Sequence, residues 1–152
     1  MALNATNQNE LRVQAGRVAG NANLRDIRLT RSQVCLNYVP EPVAKFDVEL
    51  EISPEAVTTP RQPDGKGLLL VNCGFEVKIS DGGTRETPVA IIDCEFTAAF
   101  DHSLPDDTAD GELEAFANTT GAFAIYPYAR EYISDATRRL GLPTLVLDLF
   151  KP

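Results

Sequence analysis

Groups that carry chemistry are scarce in this chain. His102 is the only histidine, and the three cysteines, Cys35, Cys73 and Cys94, form no CxxC pair. A structural zinc site needs four closely spaced Cys or His ligands, so no metal is expected. Asp101-His102-Ser103 are neighbours in sequence, whereas the members of a catalytic triad converge in space. His102 therefore reads as a loop histidine. The cysteines, each in an apolar or β-like run, read as buried thiols. No GxGxxG or GxxxxGK(S/T) cradle is present, which argues against nucleotide-driven work. Asp106, Thr108, Asp110 and Gly111 outline a calcium loop, but Ala117 stands where a bidentate Glu is needed. These carboxylates fit better as solvated loop residues that favour the next helix N-terminus. No catalytic constellation, cofactor or metal is expected, and the chain does not read as an enzyme.

Cations are also few. Lys and Arg total 14 against 22 Asp and Glu, a formal net charge of −8. A nucleic-acid surface needs clustered Lys and Arg, so that partner is excluded. No apolar run approaches the roughly 18 residues of a membrane span, so no insertion is expected. The amino end, MALNATNQNE, has neither the basic nor the apolar region of a signal peptide, and a cytoplasmic location is expected.

What is present is enough for one globular domain: 152 residues, of which 43% are hydrophobic. Residues 1–23 form a polar segment in which NELRVQAGRVAGNA can make a short helix, with Leu11, Ala15 and Val18 at helical spacing. From Leu24 the pattern becomes that of strands. LRDIRLTRSQVCLNYV alternates with a bulge expected between Thr30 and Gln33. PEPVAK cannot sit in a central strand. In FDVELEI, Phe46, Val48, Leu50 and Ile52 face one way, and Asp47, Glu49 and Glu51 the other. GLLLVNCGFEVKIS and ETPVAIIDCEFTAAFDH supply strands three and four around the DGG turn. ELEAFANTT reads as a short helix at most. Tyr126, Ala129, Ile133, Ala136 or Thr137, and Leu140 then mark a helix face that ends at Gly141 and Pro143. The expected fold is α+β: a four-stranded antiparallel sheet followed by a main helix packed on one side.

Apolar residues remain in excess. Leu36, Tyr38, Val39 and Val43 lie between strands one and two, and Leu142, Leu145, Val146, Leu147, Leu149 and Phe150 form an extended tail. They are buried in the core, against other subunits, or against an extended client chain. A small-ligand-binding module and a purely oligomerising module stay open beside the last reading.

FAIYPYAREYISDATRRLGLPTLVLDLF resembles the SecB export chaperones: an aromatic-Pro-Tyr-Ala-Arg-Glu block, a helix, then Gly-x-Pro and Leu-x-Leu. Asp26-Ile27 and the run from Lys45 to Glu49 also look like that family. The LRDIRL opening and the block from Thr119 to Tyr128 are more similar still to SecB-like chaperones encoded with toxin–antitoxin pairs. The resemblance spans residues 24–152. It implies an ATP-independent holdase, a homotetramer built as a dimer of dimers, with grooves for unfolded client polypeptides, either an antitoxin or secretory preproteins. Carried over, Leu36, Tyr38, Val39, Val43, Phe46 and Val48, with Leu145, Leu147 and Phe150 of the tail, would bind the client. Asp26, with Asp93 and Glu95, would form the acidic face that docks the SecA translocase motor, with Thr30 where the family often has a second glutamate. Phe123, Tyr126, Pro127, Tyr128, Arg130 and Ile133 would serve helix and subunit packing, with Arg130 expected to pair with a strand carboxylate. The second long helix and the polar, motor-binding tail of the export chaperones have no counterpart here, which shifts the expectation towards a dedicated client such as an antitoxin.

Overall fold

The computed structural model describes residues 5–42, 44–83 and 85–150. Helix α1 (Ala5–Ala19) precedes four strands, β1 (Ala22–Leu36), β2 (Asp47–Thr58), β3 (Gly67–Ser80) and β4 (Ala90–His102). Helix α2 (Asp110–Phe116), a π-helical turn over Ala117–Gly121 and helix α3 (Ala122–Arg139) complete it. The strands form one antiparallel sheet in the order β1-β4-β3-β2, the α+β arrangement that the alternation predicts.

The two central strands set the core. Every second residue of β3, from Leu69 through Phe75 to Ile79, is buried, as are Ile92, Cys94, Phe96, Ala98 and Phe100 of β4. They pack on Ile125, Tyr126, Ala129, Ile133 and Ala136, the α3 face that the 3-and-4 spacing marks. Each fully buried Leu, Ile or Phe contributes about 1.5–3 kcal/mol, so this seam dominates stability. Val18 and Ala15 of α1 are buried too, and Val18 belongs to the same cluster.

β1 carries two register shifts, between Leu24 and Asp26 and between Leu29 and Arg31. The second falls at Thr30, where a bulge is expected; the first explains the Leu24-x-x-Ile27 spacing. Each extra residue returns the apolar positions to the helix side, so Leu24, Ile27, Leu29, Val34 and Leu36 all pair with core residues of β4. β2 runs on past Ile52 to Thr58 with Pro54 inside it. An edge strand tolerates this, because only one of its sides needs ladder donors.

ELEAFANTT is not an isolated short helix. It joins α2 and the π turn to α3 in one helical run from Asp110 to Arg139. The π turn ends at Gly121, which lies against β3: a Cβ there would meet Val71 Cγ1 at 2.8 Å. Pro127 sits inside α3 rather than at its start, on the exposed side. The helix stops at Gly141 (φ +71°), with Leu142 N–H donating to Thr137 O and Gly141 N–H to Arg138 O, a Schellman closure. Among the described residues no helix is long and apolar enough to cross a membrane.

Candidate functional site

An α-helix is about 10 Å across, and four strands at ~4.8 Å spacing make a wider floor. α3 therefore covers β3 and β4 and leaves the edge strands short of cover. On β1, Leu24, Leu29 and Val34 point to the helix side yet stay exposed; on β2, Val48 (41%) and Leu50 (37%) do the same. Two apolar flanks result, one along each side of the helix.

At the β2 end a cleft of about 440 Å³ opens between the β1–β2 crossover and the end of α3. Leu36, Val39 and Phe46, all sequence candidates, line it together with Leu140, Leu142 and Pro143. Val39 is 83% exposed at its mouth. Val48 lies on the neighbouring flank, and Val43 falls outside the described residues. Tyr38 is not part of this lining. Its ring lies 4.1 Å from the Arg85 guanidinium, and its hydroxyl is buried near Asp81. Burial first, and then that carboxylate, push the Tyr38 phenol above its ordinary range. The residue clamps the crossover to the β3–β4 turn.

The tail is strapped to α3. Tyr126 Oη donates to Asp148 O at 2.5 Å, Arg130 Nε to Leu147 O at 2.7 Å, and Leu145 N–H to Thr137 Oγ1 at 3.1 Å. Arg130 thus binds a tail carbonyl, not the strand carboxylate expected of it, because its side of the helix faces the tail. Leu147 is a core residue, and Leu145 and Phe150 are half-buried, Phe150 stacking 5.2 Å from Tyr126. The tail residues open to a ligand are Val146 (60%) and Leu149 (72%). Of the packing candidates on α3, Tyr126 and Ile133 are buried, whereas Phe123, Pro127 and Tyr128 are exposed. Tyr128 and Tyr132 join Leu29 and Phe96 in a shallow groove beside β1.

The opposite face of the sheet is largely polar, with Val57, Leu68 and Leu70 grouped at one end. Asp26 and Asp93 lie on it with Glu95, but Arg28 binds Asp26 at 2.7 Å and Arg31 binds Asp93 at 2.8 Å. Glu95 accepts a hydrogen bond from Thr30 at 3.1 Å.

No reactive constellation emerges. His102 is buried at the end of β4, not in a loop as its neighbours suggest. Its Nδ1 accepts from Leu104 N–H at 3.2 Å, so Nε2 carries the proton, packed over Gly67, where a Cβ would lie 2.5 Å away. Burial and then Arg61 push its pKa down. Burial pushes the Cys73 and Cys94 thiols up to about 12, whereas Cys35 is exposed, contrary to expectation. No cluster of three or more metal-ligating side chains occurs among the described residues.

The exposed edge-strand residues Leu24, Leu29, Val34 and Leu50 were missed by motif reading. The signal was available: strands one and two carry more inward apolar residues than one helix can cover.

No model of a known protein family matches the sequence. Two curated proteins do: the SecB-like chaperones Rv1957 and MT2006 of Mycobacterium tuberculosis strains H37Rv and CDC 1551. Each is 36% identical over 152 residues, covering 92% of this chain and 83% of the relative. The solved structure of Rv1957 in complex with a ChAD peptide from the HigA1 antitoxin superposes with a TM-score of 0.77 at 37% identity, over 93% of this chain and 99% of that one. A Streptococcus agalactiae protein of unknown function shares the fold alone, with a TM-score of 0.51 at 10% identity over 84% of this chain and 96% of its own. With this extent of identity, and with the sheet, helix and flanking apolar surfaces in place, the chain belongs to the SecB-like chaperones.

Proposed function

We propose that the protein is an ATP-independent holdase whose client is an antitoxin, held in extended form along the β2 flank and the crossover cleft. The observation that carries this reading is the uncovered apolar row of Val48 and Leu50, continued by Phe46, Val39 and Leu36. The Rv1957 relative bound to an antitoxin peptide supports the choice of client. One apolar anchor supplies roughly 1.5–3 kcal/mol, which does not offset the several kcal/mol needed to order an unfolded segment. Several anchors repeated on an oligomer do, through effective concentration. The β1 flank, with Leu24, Leu29, Val34 and the exposed Phe123 and Tyr128, suits burial against a second copy, and we assign to it the subunit contacts of a homotetramer. Delivery to a translocase motor through Asp26, Asp93 and Glu95 has less support, since a partner would have to displace Arg28 and Arg31.

The test is suppression of aggregation of an antitoxin or a chemically unfolded protein, with Val48→Asp/Leu50→Asp as the control. Wild type should protect at stoichiometric ratio, and the variant should lose protection while keeping its elution volume. Equal protection by both, or none by wild type, would remove this reading.

A further inference from the structure

The tail from Pro143 to Phe150 packs on the core without belonging to the secondary structure. It is neither helix nor strand, and among the described residues none of its main-chain groups bonds to another main-chain group. Three side chains of α3 hold it instead, and all three touch its main chain. Tyr126 Oη donates to Asp148 O, Arg130 Nε donates to Leu147 O, and Leu145 N–H donates to Thr137 Oγ1. Contacts of this kind do not depend on which residue is seated. What the seat selects is spacing: Leu145 and Leu147 turn inward while Val146 and Asp148 turn out, the alternation of an extended chain.

Its place on the helix is equally specific. Tyr126, Arg130 and Thr137 are four and seven residues apart, so they share one stripe of α3. Tyr128 and Tyr132 lie on the other flank, in the groove with Leu29 of β1. With the strand order β1-β4-β3-β2, the tail therefore runs along the flank that looks towards β2. It starts at the crossover cleft, which Leu142 and Pro143 line. A chain leaving that cleft along α3 meets a site already filled. The tail has the properties of the ligand a holdase takes: extended, apolar on both sides, and tied through its main chain.

Resting on the holdase reading, we propose that the tail is an internal stand-in for client: it fills a polypeptide seat on α3, and a bound client displaces it. The three ties then serve whichever chain is present, and the tail sets a threshold that weakly apolar segments do not pass. A site filled by its own chain binds an outside one with an affinity lowered by the fraction of time it stands open. Loosening the tail alone must therefore tighten client binding. Removing a tie weakens both occupants and leaves the balance nearly unchanged.

Phe150→Ala loosens the tail alone, since Phe150 is half-buried and rests 5.2 Å from the Tyr126 ring. A labelled, permanently unfolded protein such as carboxymethylated α-lactalbumin should bind this variant about three- to tenfold tighter than wild type. If Leu147 stays as protected in that variant as in wild type, Leu145→Ala takes its place. Tyr126→Phe should instead change the affinity by less than about twofold, while exposing the tail of the free protein. In wild type, saturation with the unfolded protein should speed exchange of the Leu145 amide and raise hydroxyl-radical footprinting at Leu147 and Phe150. Tail protection unchanged or increased by client, with aggregation still suppressed, would overturn the displacement and leave the holdase reading standing. Unaltered affinity in a variant with a loosened tail would do the same. No binding and no suppression by wild type would overturn both.

Discussion

Gly121→Ala should destabilise the protein, although alanine is the better helix former. In a solvent-facing helix the substitution would gain up to ~1 kcal/mol. Here the new Cβ would meet Val71 Cγ1 at 2.8 Å, Cγ2 at 3.0 Å and Cβ at 3.2 Å. Both methyls are too close, so turning the valine about χ1 exchanges one clash for another, and β-branched side chains hold χ1 stiffly. The helix must instead lift from β3, opening the seam that carries the core. Overpacking of this kind costs about 1–3 kcal/mol. Net of the helix gain, a loss of up to about 2 kcal/mol remains, which for a chain of this size lowers Tm by up to about 8 °C. Thermal unfolding followed by circular dichroism measures it. The decisive arm is the double-mutant cycle with Val71→Ala, which removes the methyls. In that background Gly121→Ala should be neutral or stabilising, a coupling of about 1–3 kcal/mol, the overpacking cost itself. An equal loss in both backgrounds would refute the close-approach argument.

Three further outcomes follow from the buried groups. His102 has a folded pKa below its unfolded value of about 6.5, so the unfolded chain binds the extra proton first. Its contribution is fully present above pH ~6.5 and is lost as pH falls through that value towards the folded pKa; melts from pH 5 to 8 should show the decline, and His102→Gln should flatten it. Arg130→Met should release the tail carbonyl of Leu147 at a cost of about 1–3 kcal/mol, with faster hydrogen exchange of amides 145–150; unchanged exchange would count against the strap. Under native conditions a thiol reagent should label Cys35 alone, because Cys73 and Cys94 are buried with pKa values pushed up to about 12; mass spectrometry showing two or three adducts would contradict the buried pair.

Local physics was legible in the chain. Period-two alternation placed the four strands, the 3-and-4 spacing of Tyr126, Ala129 and Ile133 gave the buried face of α3, and Gly141 with Pro143 gave its stop. Those features depend on contacts a few residues apart and on which residue types can adopt a conformation. The aromatic-proline block from Phe123 to Glu131 identified the family, because it is both rare and long. What failed depended on neighbours distant in sequence. Arg130 found a tail carbonyl instead of a strand carboxylate, Leu147 entered the core, and Tyr38 was clamped under Arg85, since each side chain's partner is fixed by how the tail and crossover fold back. Pro54 continued a strand because the tertiary order put β2 at an edge, where a missing donor is tolerated. The uncovered apolar surface belongs to the same class. The sequence determined which residues of β1 and β2 face inward, but only the packing of the helices and tail on the four-stranded sheet decided which of them stay uncovered.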